Sequence, residues 1–418
     1  MTSPFRSVWE SLHERLYFFP PFPTEVDPLV LFALLLVGGL VAGEVLYRAG
    51  GLSRIVGYVL AGALAGPLTG WLDRESLILA KPFADVALGL LLLETGRHLD
   101  LAWLRANPRL LLTSLAESGL AFAAIYAFAR LAVGLSPGWS AAAAAITMAS
   151  APAVVLMGAQ ESRAQGQVTQ RMLLLTALGC AASFVVFTVV LGVVHAERSG
   201  DWIDALAHPL WVAGGSCLIG ALCARLALVV AARQHGGPAA RMFVLVAVAL
   251  LAVGIARMLA VPVFLSLFMM GVVLNVGDRD RRLAYASLPD GLWMLAIVLF
   301  VVTGAMLPLG DMTLETVLQG LGLILVRGAA KLLGVVLSGG RDLPVGKQVL
   351  VGVGIQPLSA TAIFMAAEIS AVYPEVSAAA LLLPLLAAAM MEFVGPQLCR
   401  YALQRAGEAE TQESGRQP

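Results

Sequence analysis

The chain has 418 residues, 59% of them hydrophobic and only 13% charged, with 27 basic against 27 acidic side chains and a mean hydropathy of +0.86. That composition excludes a soluble globular protein. A formal net charge of zero, with no basic patch interleaved with aromatics, gives no ground for a nucleic-acid partner.

Residues 1–27 carry scattered charges and an aromatic, proline-rich stretch, Tyr17 to Pro23, without the basic start or unbroken apolar run of a signal peptide. They read as an interfacial leader. Thirteen apolar spans follow, near residues 28–47, 55–71, 82–97, 109–133, 138–159, 168–194, 208–232, 241–257, 259–276, 291–308, 314–338, 347–369 and 375–401, each close to the roughly 20 residues a membrane helix needs. The expected fold is an all-α polytopic membrane protein, with a membrane domain over 28–403. One set of alternate loops is rich in arginine (Arg48, Arg54, Arg105, Arg109, Arg163, Arg171, Arg233, Arg241, Arg279, Arg281, Arg282 and Arg341), with Lys347 besides; the opposite set has little beyond Arg74, Lys81 and Arg198. The positive-inside rule then puts the C-terminus in the cytoplasm and the N-terminus outside. Residues 404–418 read as a short, polar, disordered cytoplasmic tail. Cys180, Cys217, Cys223 and Cys399 lack metal-ligand or redox spacing, and neither the five histidines nor the carboxylates cluster, so no metal, cofactor or enzymatic centre is expected.

Two spans are interrupted. Pro152 falls near the middle of the apolar run Ser140 to Leu156, and Pro357, preceded by Gln356, falls in the middle of Val349 to Ile369. Proline removes a backbone donor and clashes with the carbonyl four residues back, and freed backbone groups at that depth are tolerated only inside protein or along a polar cavity. Pro152 and Pro357 lie 205 residues apart, as do Gly66 and Gly271, and the span starting at Arg109 precedes by the same interval the one starting at Leu314. Broken helices at matching places in two repeated halves point to a secondary transporter.

Charges inside spans are functional candidates because each is costly in lipid. Arg327 and Lys331 are four apart and share a helix face. Arg327 suits a structural clamp on the carbonyl ends of a broken helix; Lys331 is the better carrier of function, since a buried lysine can give up its proton and arginine cannot. Glu94 stands three residues before Arg97 and reads first as its partner. Glu117 and Glu392 are also embedded, Glu392 either bracing a neighbouring backbone or supplying a carboxylate to the core, and Glu44 sits near a span end.

The runs Ile55 to Pro67 (IVGYVLAGALAGP), Ala149 to Leu156 (ASAPAVVL), Val326 to Gly334 (VRGAAKLLG) and Glu392 to Pro396 (EFVGP), in that order and spacing, resemble the cation:proton antiporters, in particular the bacterial sodium/proton and potassium/proton exchangers. The resemblance covers nearly all of residues 28–403. It implies two inverted repeats, a core of about 109–194 and 314–401 whose discontinuous helices cross at the midplane, and a dimerisation panel formed by the other spans. It also implies elevator-type exchange of a monovalent cation against protons by a homodimer in a bacterial inner membrane. Lys331 takes the place of the family's core lysine and Arg327 that of a basic neighbour; Ser150 and Pro152 match the first unwound crossing, Gln356 and Pro357 the second.

One departure stands out. The resemblance implies an acid in the span after the first broken helix, where Gly179 and Cys180 stand instead, and no carboxylate occurs between Glu161 and Glu197. A buried thiol stays mostly neutral, so Lys331 is expected to lack its usual partner. Three readings follow: a monovalent-cation/proton antiporter whose acid has moved, to Glu94 or Glu392; a transporter of the same architecture that takes an anion or organic solute at Lys331 and Arg327; or a non-transporting partner or sensor.

Overall fold

A computed structural model describes residues 28–72, 74–99, 101–199, 202–233, 237–278, 289–309, 312–340, 342–372 and 378–409. The expected leader, Arg279, Arg281, Arg282, Arg341 and the last nine residues lie outside this set. The described chain is all-helical, with sixteen α-helices. They are α1 (Pro28–Gly50), α2 (Arg54–Ala63), α3 (Arg74–Arg97), α4 (Leu101–Ala106), α5 (Arg109–Phe128), α6 (Pro137–Thr147), α7 (Pro152–Glu161), α8 (Gln167–Ser199), α9 (Trp202–Arg233), α10 (Pro238–Met258), α11 (Val263–Gly277), α12 (Pro289–Ala305), α13 (Leu314–Ser338), α14 (Val345–Gly354), α15 (Ala360–Val372) and α16 (Ala378–Arg405). Each expected span meets a helix or a broken pair. Among the described residues eight helices are long and apolar enough to cross a membrane, and Arg54–Leu68, Val263–Gly277, Trp293–Ala305 and Val345–Gly354 are shorter apolar segments.

Several helices run past the apolar stretch that announces them. α3 begins at Arg74 rather than near residue 82, and α8 continues to Ser199. Hydropathy marks the part that wants lipid or protein around it; helical hydrogen bonding continues into the polar ends.

The packing repeats itself across the halves. α2 packs on α12, and α11, its counterpart 205 residues on, packs on α3, the counterpart of α12. Both contacts are intimate because glycine lets backbones touch: a Cβ at Gly62 would stand 2.0 Å from the Val301 carbonyl oxygen, and one at Gly271 2.0 Å from that of Leu93. The counterparts α5 and α13 pack directly on each other, and around them gather α6, α7, α8, α14, α15 and α16. The helices α1–α3 and α9–α12 form a second layer, touching the first chiefly through α8 against α9 and through lighter contacts of α3, α2 and α12 with α7, α16 and α15.

At one end of the bundle the charged loops are tied down. Arg54 reaches Glu44 (3.0 Å) and Glu161 (3.4 Å), and Arg171 pairs with Asp342. In the α13–α14 loop, that guanidinium holds the Asp342 carboxyl below the usual carboxylate range. The expectation of a disordered tail is corrected for residues 404–409, the part of it that is described. α16 runs to Arg405, and Glu408 docks on the start of α8, its carboxylate accepting from the backbone N–H of Val168 (2.9 Å) and Thr169 (2.8 Å) and from the Thr169 hydroxyl (2.9 Å). A carboxylate on the free N–H groups of a helix start is favourable both as hydrogen bonding and against the helix dipole.

Candidate functional site

The two breaks meet. α6 ends at Thr147, residues 148–151 are non-helical, and α7 restarts with Pro152 as its first residue, where a missing N–H costs nothing. α14 ends at Gly354, and residues 355–359, including Pro357, lead to α15. The Ala151 N–H donates to the Pro357 carbonyl at 2.9 Å, so the connections cross in contact.

Each break leaves carbonyls without helical donors. Arg327, fully buried on α13, supplies them: Nε donates to Thr147 O (2.6 Å), Nη2 to Ala149 O (2.6 Å), and Nη1 to Gln356 O (2.6 Å) and Gln356 Oε1 (3.2 Å). Gln356 completes the arrangement through Nε2, which donates to Gly352 O (2.9 Å) and Gly328 O (3.1 Å). The guanidinium fork therefore holds both breaks and turns their carbonyls inward.

One turn further along α13, Lys331 is also fully buried, and its ammonium pairs with Glu117 of α5, itself at 0% exposure. The expectation that Lys331 lacks a partner is corrected. The carboxylate that pairs with it is neither on α8 nor Glu94 or Glu392; it stands on the helix that is the repeat counterpart of the lysine's own. What brings them together is Gly334, three residues after Lys331 on the same face: a Cβ there would stand 2.4 Å from Glu117 Cα, so only glycine lets α13 approach α5 this closely.

Position 179 shows where the other oxygens point. A Cβ on Gly179 would lie 3.0 Å from Glu117 Oε1, 3.6 Å from Ser118 Oγ and 3.9 Å from Ser150 Oγ. Ser118 Oγ donates to Glu117 Oε1 at 2.9 Å, whereas the buried Ser150 hydroxyl makes no hydrogen bond. Cys180 is buried next to this cluster, within electrostatic reach of Lys331. A carboxylate and two hydroxyls thus converge beside the first break, against a lysine ammonium.

The other candidate acids lie elsewhere. Glu94 Oε2 accepts from Arg97 Nη1 at 2.8 Å, and His98 lies against the same residue. Glu392, fully buried on α16, accepts from Ser359 Oγ at 2.9 Å just before α15 and is not ion-paired with Lys331. Toward the charged end, an open cavity of about 860 Å³ lies between α3 and α12 on one side and α7 and α8 on the other, lined by His98, Gln160, Arg163, Thr169, Trp293 and Glu408 among others.

Comparison with known proteins agrees with this architecture. The model of the family described as sodium/hydrogen exchanger, transmembrane, matches residues 31–395. The chain belongs to this exchanger family. Among curated relatives of the exchanger chain, the putative cation/proton antiporter YbaL of Escherichia coli is 28% identical over 292 residues, which are 64% of this chain and 50% of YbaL. The chain spans about half the length of that relative. Two structures of the sodium proton antiporter MjNhaP1 from Methanocaldococcus jannaschii share its fold. One has a TM-score of 0.69 at 18% identity and covers 90% of this chain and 98% of its own; the other has a TM-score of 0.72 at 16% identity and covers 92% and 99%.

Proposed function

We propose that this exchanger-family chain is a monovalent-cation/proton antiporter, taking sodium or potassium, in which Glu117 is the carboxylate for which the cation and the Lys331 ammonium compete. The observation that carries the reading is the fully buried Lys331–Glu117 pair beside the crossed breaks. In the proton-loaded state the ammonium sits on the carboxylate. A cation entering from water takes Glu117, helped by the Ser118 hydroxyl bonded to it and by the unbonded Ser150 hydroxyl that faces Gly179 beside it. Lys331, left without a counter-charge in an apolar interior, releases its proton, a step arginine could not perform. Both loaded states of the site are then neutral: carboxylate with ammonium, or carboxylate with cation and neutral amine. One proton moves per cation, without net charge.

Further parts of the reading rest on the fold and the family. The layer containing α5–α8 and α13–α16 would carry the site past the layer of α1–α3 and α9–α12 in an elevator-like motion. That second layer would be the contact of a homodimer. The basic end with its cavity would face the cytoplasm of a bacterial inner membrane, placing the N-terminus outside.

The anion or organic-solute alternative needed free positive charge at the crossing. Lys331 is neutralised by Glu117 and Arg327 is spent on carbonyls, so that alternative loses its basis. In inverted vesicles carrying a pH gradient, adding sodium or potassium should dissipate the gradient with the parent and not with Glu117→Gln. Silence of the parent toward both cations would contradict the proposal and favour the non-transporting reading.

A further inference from the structure

Glu392 takes no part in the pair just described. It lies mid-way along α16, fully buried, with one carboxyl oxygen receiving the Ser359 hydroxyl (2.9 Å) and the other, Oε2, without a hydrogen-bond partner. A carboxylate so placed would have only neutral hydroxyls to replace its water, which disfavours the charged form. Among the described side chains, the charged groups on the elements packed against α16 lie or are engaged elsewhere: Arg327 of α13 on the break carbonyls, Lys331 of α13 on Glu117, Glu161 of α7 and Arg54 of α2 on each other at the bundle's end, and Glu315 of α13 and Lys347 of α14 in the first turns of their helices. From α2 the titratable Tyr58 is buried beside Gly43; Thr147 at the end of α6 and Gln356 and Ser359 of the second break are neutral.

The residue also marks a boundary. Ser359 belongs to the second break, Gly395, one turn from Glu392, lies on Pro357, and Thr303 of α12, in the other layer, faces the carboxyl. α12 also touches α15 and α7, across the seam between the two layers. A charge at that seam opposes any sliding of one layer past the other, whereas the uncharged acid can slide and can bond a hydroxyl on either side.

We propose that Glu392 is a second proton-binding carboxyl, separate from the Lys331–Glu117 site, whose protonation permits α16 and the second break to pass Thr303. The proton comes from water when the seam opens and returns there; it need not be exchanged for the cation. This rests on the exchange reading for its consequence, but not for the site itself.

The full chain, reconstituted in liposomes, should show cation-driven proton flux that declines on the alkaline side as Glu392 ionises. Glu392→Gln, which keeps the shape and the bond to Ser359 but cannot ionise, should transport at acid pH and lose that decline, and Glu392→Asp should keep it. Profiles of the parent and the glutamine variant that superimpose would overturn the proposal and leave Glu392 as a brace. If the glutamine variant is inactive, infrared difference spectra of the purified proteins between acid and alkaline pH decide. The parent should show the carbonyl band of an un-ionised carboxyl that the variant lacks, and absence of that difference overturns the proposal. Presence of the band in a parent that exchanges no cation would uphold the proton site and remove the exchange reading alone.

Discussion

Two opposite charges, both at 0% exposure, make Lys331 and Glu117 unequal to any surface pair. Withdrawing both from water costs several kcal/mol per ion and their attraction offsets this only while they remain together, so removing one partner leaves a bare buried charge and costs about 3–5 kcal/mol. Glu117→Gln and Lys331→Met should each lower the melting temperature of the purified protein. The double variant should recover most of the loss, because neither charge is then stranded. Additive losses in the double variant would mean the two side chains do not form a pair. Glu117 was visible in the sequence as an embedded charge, but its partnership was not, for the pair joins positions 214 residues apart and the missing acid drew attention to Gly179 and Cys180. A signal was nonetheless present. The 205-residue interval makes the spans of Glu117 and Lys331 counterparts, and counterparts that lie near a pseudo-symmetry axis pack on each other.

Helix breaks are legible when proline makes them, and both were. How far each break extends was not. The first closes at Pro152, but the second runs on to residue 359, because the side chain of Gln356 turns back to the Gly352 carbonyl and takes the place of a further helical turn. The clamp at Arg327 depends on a planar fork with several donors, reaching three backbone carbonyls on two different breaks. Lysine offers a single point of charge and cannot span them. Arg327→Lys should therefore sharply reduce the yield of folded, monodisperse protein, and full recovery by lysine would show that only the charge is required. At the α5–α13 contact, Gly334→Ala would drive a methyl into the Glu117 backbone and push the two helices apart. It should weaken exchange more than it lowers the melting temperature, since the pair separates while most of the helix contact survives. An unaffected exchange rate would mean that the close approach does not set the pair's geometry.

Across the whole molecule, two groups of ionisable side chains stand out among the described residues. Arg54, Glu161, Arg171, Asp342 and Glu408 fasten loops and helix ends at one face of the bundle, and Arg327, Lys331, Glu117 and Glu392 occupy the interior where every charge needs a reason. The loop arginines made that face legible in the sequence. The docking of Glu408 was not, because a polar end next to chain of low hydropathy reads as solvated whether or not it meets a helix start. In the interior, one carboxylate and one lysine carry the proposed exchange, and their competition for a cation is the centre of the account. It is tested most directly by adding sodium or potassium to the purified protein in weakly buffered solution and recording the pH. Binding should release protons, about one for each cation bound by the charge balance at a single carboxylate, and Glu117→Gln and Lys331→Gln should each abolish the release. Cation binding with no proton released, or release undiminished in both variants, would contradict it.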